Sequence, residues 1–310
     1  MPGEKRMNDS RRGLPELVVH RVERAAELPV RSFGVQEWRD HDGRVAAYGV
    51  VEGETNRMVL PDLGTFRFTG QAEAPVWAEI LPSIPEETVH DAFRRMVVPM
   101  VLQVRGWEVL HSSAVLAWGA VVAFCGVSGS GKSTLSYALG RRGHTLWADD
   151  SVAFDAEPHP VVARPLPFRI RFRSASEEFF LGRGEGPHVD AAREVGVRTS
   201  ADAPLAVLFV LAERGVALSV QIDRLEPADA FPAVLEHAYC FSLSDPDRKR
   251  AMVGNYLQLV RRVPSFEVRM PPGFDHLDQT VDRLEATAER AVAEATDGAS
   301  APSAPSSLGR

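Results

Sequence analysis

The sequence predicts an α/β chain in which a small, largely antiparallel β-rich region precedes a larger domain built around a phosphate-binding loop. Three observations predict it. Short β-favouring runs separated by Gly, Asp, Asn and Pro occupy the first part of the chain. Gly126-Val127-Ser128-Gly129-Ser130-Gly131-Lys132-Ser133 then fits the pattern GxxxxGK[ST] without a mismatch. Beyond it, apolar strand-like runs alternate with helical periodicities to about residue 295.

The β-rich region spans 14–105, after a tail at 1–13 that carries four basic residues and no apolar periodicity. Its strand candidates are LVVHRV, VAAYGVV, RMVL and TFRFT. Glu86 to Arg105 closes it as a connecting helix, because Val89, Phe93, Val97 and Met100 line one face, with Pro99 placed to kink or end it. The second domain covers 106–295. EVLHSSAVLA and AVVAFC are strand-like runs joined by a Trp-Gly turn, STLSYALGRRG is helical, and HTLWADD is a strand ending in two carboxylates. FRIRF, LAVLFVLAE, ALSVQID and FEVRM read as further strands, and Pro227 to Tyr239 and the stretch after Asp245 as helices. An amphipathic helix at 275–295 carries Leu277, Val281, Leu284, Ala288 and Val292 on one side, to pack on its own domain or on a partner copy. Ala, Pro, Ser and Gly dominate 296–310, which reads as a second disordered tail.

Composition excludes several classes of function. The 310 residues are 45% hydrophobic and 25% charged, which suits a folded globular chain. A net charge of −7 argues against a broad nucleic-acid surface, which needs clustered cations. No apolar run reaches membrane-spanning length and the charged start lacks an apolar stretch behind it, so neither a membrane span nor a signal peptide is expected and a cytoplasmic protein is. Cys125 and Cys240 are too few for a disulfide framework and lack metal-ligand spacing. Lysine occurs three times, and one of the three is Lys132 in the loop.

The loop motif carries the chemistry. Its glycines allow the backbone to turn successive N–H groups inward as an anion nest, and a helix starting near Ser133 adds its positive dipole end. Gly126 through Ser133, with Thr134 behind them, are therefore the expected nucleotide-binding residues. Lys132 would reach the β and γ phosphates of ATP, and the Ser133 hydroxyl would ligate Mg²⁺. Asp149 and Asp150 end the next strand, where carboxylates can lie beside the loop's phosphates, one for the metal and the other for an acceptor hydroxyl. His111, alternating in the strand before the loop, is a structural or a catalytic histidine by spacing alone. Arg169, Arg171 and Arg173 would share one strand face, either as an anion site or as a solvated one, and Arg248-Lys249-Arg250 form a second basic cluster.

Over His111 to Phe154, the strings LHSSAV, AFCGVSGSGKSTL and LGRRGHTLWADD resemble the catalytic domain of HPr kinase/phosphorylase. The likeness is closer still to relatives found as serine kinases in peptide natural-product clusters of the lasso peptide type. The resemblance implies an HPr kinase C-terminal type P-loop fold and an ATP- and Mg²⁺-dependent transfer to a serine-type hydroxyl of a peptide, protein or small molecule. It also implies roles: Asp149 as base, His111 near it, Lys132 on the phosphates, Ser133 and Asp150 at the metal. Oligomers occur in that family. The chain departs from it at Thr134, where HPr kinases usually carry glutamate, which points away from HPr as acceptor and from the reverse reaction. Two other functions remain open from sequence, a P-loop ATPase and a nucleotide-sensing module without an acceptor. The absence of an LSGGQ-like signature argues against a transporter-type engine.

Overall fold

The computed structural model describes residues 15–24, 28–29, 35–39, 42–166, 168–170, 172–182, 201–213, 217–241 and 245–300, the last five without their side chains. The expected tail at 1–13, Arg171 and most of the Gly-rich interval after Leu181 lie outside these residues.

Six strands form the first sheet: β1 Leu17–Arg21, β2 Val35–Arg39, β3 Val45–Glu52, β4 Thr55–Leu60, β5 Gly64–Thr69 and β6 Val76–Ile80. Their order is β1-β6-β5-β4-β3-β2, antiparallel except for the parallel β1–β6 pair. Period-2 alternation sets the register, with Met58 opposite Phe66 and Phe66 opposite Ala78 on one buried face. That face is covered by the connecting helix, which is not one regular element. It consists of α1 Glu86–Ala92, a π-helical turn Phe93–Val97 and α2 Val98–Val104. Pro99 explains the break, because its ring has no N–H to give and would collide with the carbonyl four residues back; the wider turn accommodates it. Val89, Phe93, Val97 and Met100, the face the periodicity predicts, are all buried in the cluster that includes the sheet, with Val101 beside them.

The second sheet contains β7 Glu108–Leu110, β8 Ser112–Ala117, β9 Ala120–Cys125, β10 Thr145–Ala148, β11 Val152–Asp155, β12 Val162–Arg164, β13 Ala203–Leu211, β14 Gln221–Leu225 and β15 Ser265–Arg269. It is mixed rather than parallel. β9, β13 and β15 run parallel, while β8 lies antiparallel between β9 and β10. The Trp118-Gly119 turn that joins β8 to β9 has positive φ at both residues, 50° and 78°, the geometry of a tight hairpin. On one face pack α3 Lys132–Arg141 and α7 Leu277–Ser300, and on the other α5 Pro227–Leu235 and α6 Pro246–Arg262. Between them, α4 Ser174–Leu181 stands near the loop end of α3. Val281, Leu284, Ala288 and Val292 bury against the same core as α3, so the amphipathic face of α7 is used within the chain. Its backbone stays helical to Ser300, beyond the expected end at 295, since no proline interrupts it before Pro302. Both cysteines are buried, and burial pushes the Cys125 thiol up to about 12.

Two expectations fail on tertiary grounds. The described residues of FRIRF form no strand. Arg169 pairs with Glu87 at 2.7 Å, while Arg173 lies over the phosphate-loop motif. Arg248 is not part of a surface cluster either. Its guanidinium donates to both oxygens of the buried Glu108 at 2.7 and 2.9 Å, and Asn255 Nδ2 adds a third bond at 2.8 Å. This network ties α6 to β7, the strand that leads into His111. No helix among the described residues is long and apolar enough to cross a membrane. Replacement of Arg248 by Met should cost about 3 kcal/mol, since it leaves a buried carboxylate uncompensated, whereas Lys249→Ala should be within about 0.5 kcal/mol of neutral. Urea unfolding of the two variants measures both.

Candidate functional site

β9, AVVAFC, is buried at all six positions and delivers the chain into the loop 126–131. Two glycines in it are required by contact as well as by φ. A Cβ on Gly126 (φ +154°) would come within 2.6 Å of Ser130 Oγ and 3.2 Å of the Leu211 carbonyl. A Cβ on Gly129 (φ +86°) would meet the Arg173 guanidinium carbon at 2.9 Å. Gly131 is the N-cap of α3 and has no side chain to cap the helix's first N–H groups, which suits that end to receive an anion.

Lys132 folds back over the loop, donating from Nζ to the carbonyls of Gly126 (2.8 Å) and Val127 (3.1 Å). Burial holds its ammonium below the usual lysine range, opposed in part by the charges of Asp149 and Asp150. Ser133 Oγ donates to Asp149 Oδ1 at 2.7 Å, and Ser113 Oγ on β8 donates to the same oxygen at 2.6 Å. Asp149 reaches Ser133 across β8, because β10 is not the neighbour of β9. Thr134 Oγ1 shares a hydrogen bond with Ser176 Oγ of α4 at 2.9 Å, and Ser128 Oγ accepts from Arg173 at 3.2 Å. Ser130 Oγ is buried and has no hydrogen-bond partner among the described residues.

Asp150 turns away from its neighbour. Its φ is +71°, a left-handed conformation that Asp tolerates better than most residues, and its Oδ2 accepts from Arg95 Nε at 2.7 Å. Arg95 comes from the π-helical turn of the connecting segment, so the N-terminal region supplies a side chain to the site. His111 Nδ1 lies 2.9 Å from the Asp150 carbonyl, with the Tyr239 hydroxyl 3.4 Å from that same oxygen. The resemblance implies His111 beside Asp149; the structure sets it on the backbone of Asp150. Burial, and then the charge of Lys132, push His111 below its ordinary pKa. A neutral imidazole facing a carbonyl must donate through Nδ1, so Nε2 is the free acceptor.

These groups line a cavity of about 420 Å³ that includes Arg95, His111, Gly129, Lys132, Ser133 and Asp150. A second, smaller cleft opens on the far side of the two aspartates, beside Asp91, Arg94 and Arg169. The cavity's donors suit a nucleotide's phosphates: a glycine loop that a Cβ would fill, a helix end with glycine at its N-cap, one lysine and two arginines, Arg95 and Arg173. The Ser133 hydroxyl and the Asp149 carboxylate together present hard oxygen ligands of the kind Mg²⁺ takes alongside phosphates and water. No family model matches the chain, and no curated protein does. Among solved structures it is similar to the Hpr(Ser) kinase/phosphatase from Coxiella burnetii, at 16% identity and a TM-score of 0.33, over 62% of this chain and 95% of that one.

Sequence reasoning missed Ser113, Arg95 and Tyr239. Ser113 follows His111 by two residues, but His111, expected within a strand, occupies the bend between β7 and β8, while Ser113 lies in β8. Arg95 and Tyr239 are brought in from 55 and 89 residues away from Asp150 and carry no local mark.

Two outcomes follow from this geometry. Gly129→Ala should weaken nucleotide binding at least tenfold through left-handed strain and the clash with Arg173, as read by calorimetric titration. Acid should destabilise the fold through His111 and His237, since burial lowers both. Their unfolded forms take up protons near pH 6.5 while the folded forms do so only lower, so stability falls as pH drops below about 6.5. A His111→Gln/His237→Gln variant should show a smaller fall in melting temperature between about pH 7.5 and 5.5 than the parent does.

Proposed function

We propose that this chain is an ATP-dependent phosphotransferase that delivers the γ-phosphoryl group to a serine-type hydroxyl of a peptide, protein or small molecule. One observation carries the reading. Beyond the loop lysine and serine that nucleotide binding needs, the site holds two carboxylates with different partners, Asp149 on the loop serine and Asp150, which lines the cavity, beside His111 and Arg95. A sensor or a bare hydrolase has no need of the second.

The hydrogen bonds favour a division of labour opposite to the one the resemblance implies. Asp149 is committed to Ser133 and Ser113, which supports a place in the metal's shell together with Ser133. Asp150 has one oxygen on Arg95 and, among the described residues, the other open to accept the proton of an incoming hydroxyl. His111 holds the Asp150 backbone in place. Lys132 exchanges the carbonyls of Gly126 and Val127 for phosphate oxygens, which restores a partner to a partly desolvated ammonium. Mg²⁺, when bound with ATP, would offset the charge that develops on the transferring group. Arg173, over Gly129, offers a second cation to the phosphates.

Asp150→Asn should keep Mg²⁺-dependent nucleotide affinity within about threefold and lower phosphoryl transfer at least about a hundredfold, in keeping with the loss of a general base. Asp149→Asn should lose the metal dependence of binding itself. Transfer of label from γ-labelled ATP to a panel of serine peptides, beside binding titrations with and without Mg²⁺, separates the two. The reverse pattern would return the base to Asp149, and label released only as phosphate by the unmodified protein would favour an ATPase.

A further inference from the structure

The large cavity has two chemically distinct halves, and the site described so far uses one. Gly129, Lys132, Ser133 and Arg173 make the anion-binding half. The other is walled by Phe172, Ala175, Met270, Pro271, Phe274 and Leu277, contributed by the approach to α4, by α4 itself, by the segment after β15 and by the start of α7. A cavity of about 420 Å³ is larger than a triphosphate alone requires and falls in the range of small-molecule pockets.

The aromatic rings of this half are held by one another. Phe274 stacks on Phe179 with centroids 4.3 Å apart and planes 8° from parallel, and it meets Phe180 edge-on. Phe172 packs edge-on against Tyr137 of α3 at 4.8 Å. Polar side chains that could tell one base edge from another are scarce here among the described residues. The Ser176 hydroxyl is shared with Thr134, and the Thr280 hydroxyl donates to the His276 carbonyl at 2.7 Å. Pro271 and Pro272 have no backbone N–H to offer a ring nitrogen. His276 is the polar side chain left to this wall among the described residues.

Resting on the nucleotide reading above, we propose that this aromatic half receives the donor's purine base, binds it by stacking and shape, and leaves its edges unread. The donor is then a purine nucleoside triphosphate of either kind, and a bare polyphosphate is a poorer ligand. A wall with few side-chain hydrogen-bond partners for a base edge rejects the other purine only weakly, because few buried groups are left unpaired when the wrong one enters.

Calorimetric titration of the full chain with Mg²⁺ and, in turn, ATP, GTP and inorganic tripolyphosphate tests this. ATP and GTP should bind within about fivefold of each other, and tripolyphosphate about tenfold or more weaker, the scale of one base–aromatic stack. Phe274→Ala should weaken both nucleotides about tenfold and leave tripolyphosphate unchanged, which also shows that the loop remains folded. Phe172→Leu, a smaller change, should move the nucleotides in the same direction. Tripolyphosphate binding as tightly as ATP, a purine preference above about a hundredfold, or an equal loss of all three ligands in Phe274→Ala each overturns the base subsite while leaving phosphate binding intact. Binding of none of the three overturns the nucleotide reading and the subsite with it.

Discussion

One carboxylate oxygen joins the parts on which the site depends. Asp149 Oδ1 accepts from Ser113 on β8 and from Ser133 in the first turn of α3, so the end of β10, the hairpin strand and the loop helix meet at a single atom. The side chain is almost fully buried, and a buried carboxylate requires partners of this kind. The antiparallel strand between β9 and β10 makes the arrangement workable. It separates the two parallel-running strands by one place and fills the gap with a serine that bonds the same oxygen.

Charge is distributed around that atom with little redundancy. Lys132 is buried against loop carbonyls, burial and the charge of Lys132 hold His111 below its ordinary pKa, and Asp150 is paired with an arginine that arrives from the N-terminal region. The desolvated lysine is poised for an anion, since an ammonium removed from water is better matched by phosphate oxygens than by two carbonyls. The π-helical turn that carries Arg95 is itself a consequence of Pro99, so one backbone constraint in the connecting helix fixes where a cation enters the cavity. Trp107, Val109 and Phe241 belong to the same apolar cluster as the first sheet, which keeps that helix seated on the second domain.

Much of this was legible in local patterns. The loop was readable because its pattern is a property of eight consecutive residues: glycines for backbone angles, a lysine and a serine at fixed offsets. β9 and α7 were readable because burial on one or both faces leaves a period in the sequence. FRIRF misled for a related reason. Alternating arginines look like a strand face, yet Arg169 and Arg173 leave in different directions because each has a distant partner, Glu87 or Ser128.

The sequence by itself determined the phosphate loop, its flanking strand and helix, the pair of aspartates and the β-rich character of the first region. Local backbone preference and hydrophobic period suffice for these. Tertiary structure alone decided which aspartate meets Ser133, that Arg95 faces Asp150, that Arg248 supports Glu108 instead of forming a basic patch, and that six apolar residues from separate segments wall half of the cavity. Each of these depends on contacts between residues far apart in the chain, and sheet order, not spacing, sets which of them meet.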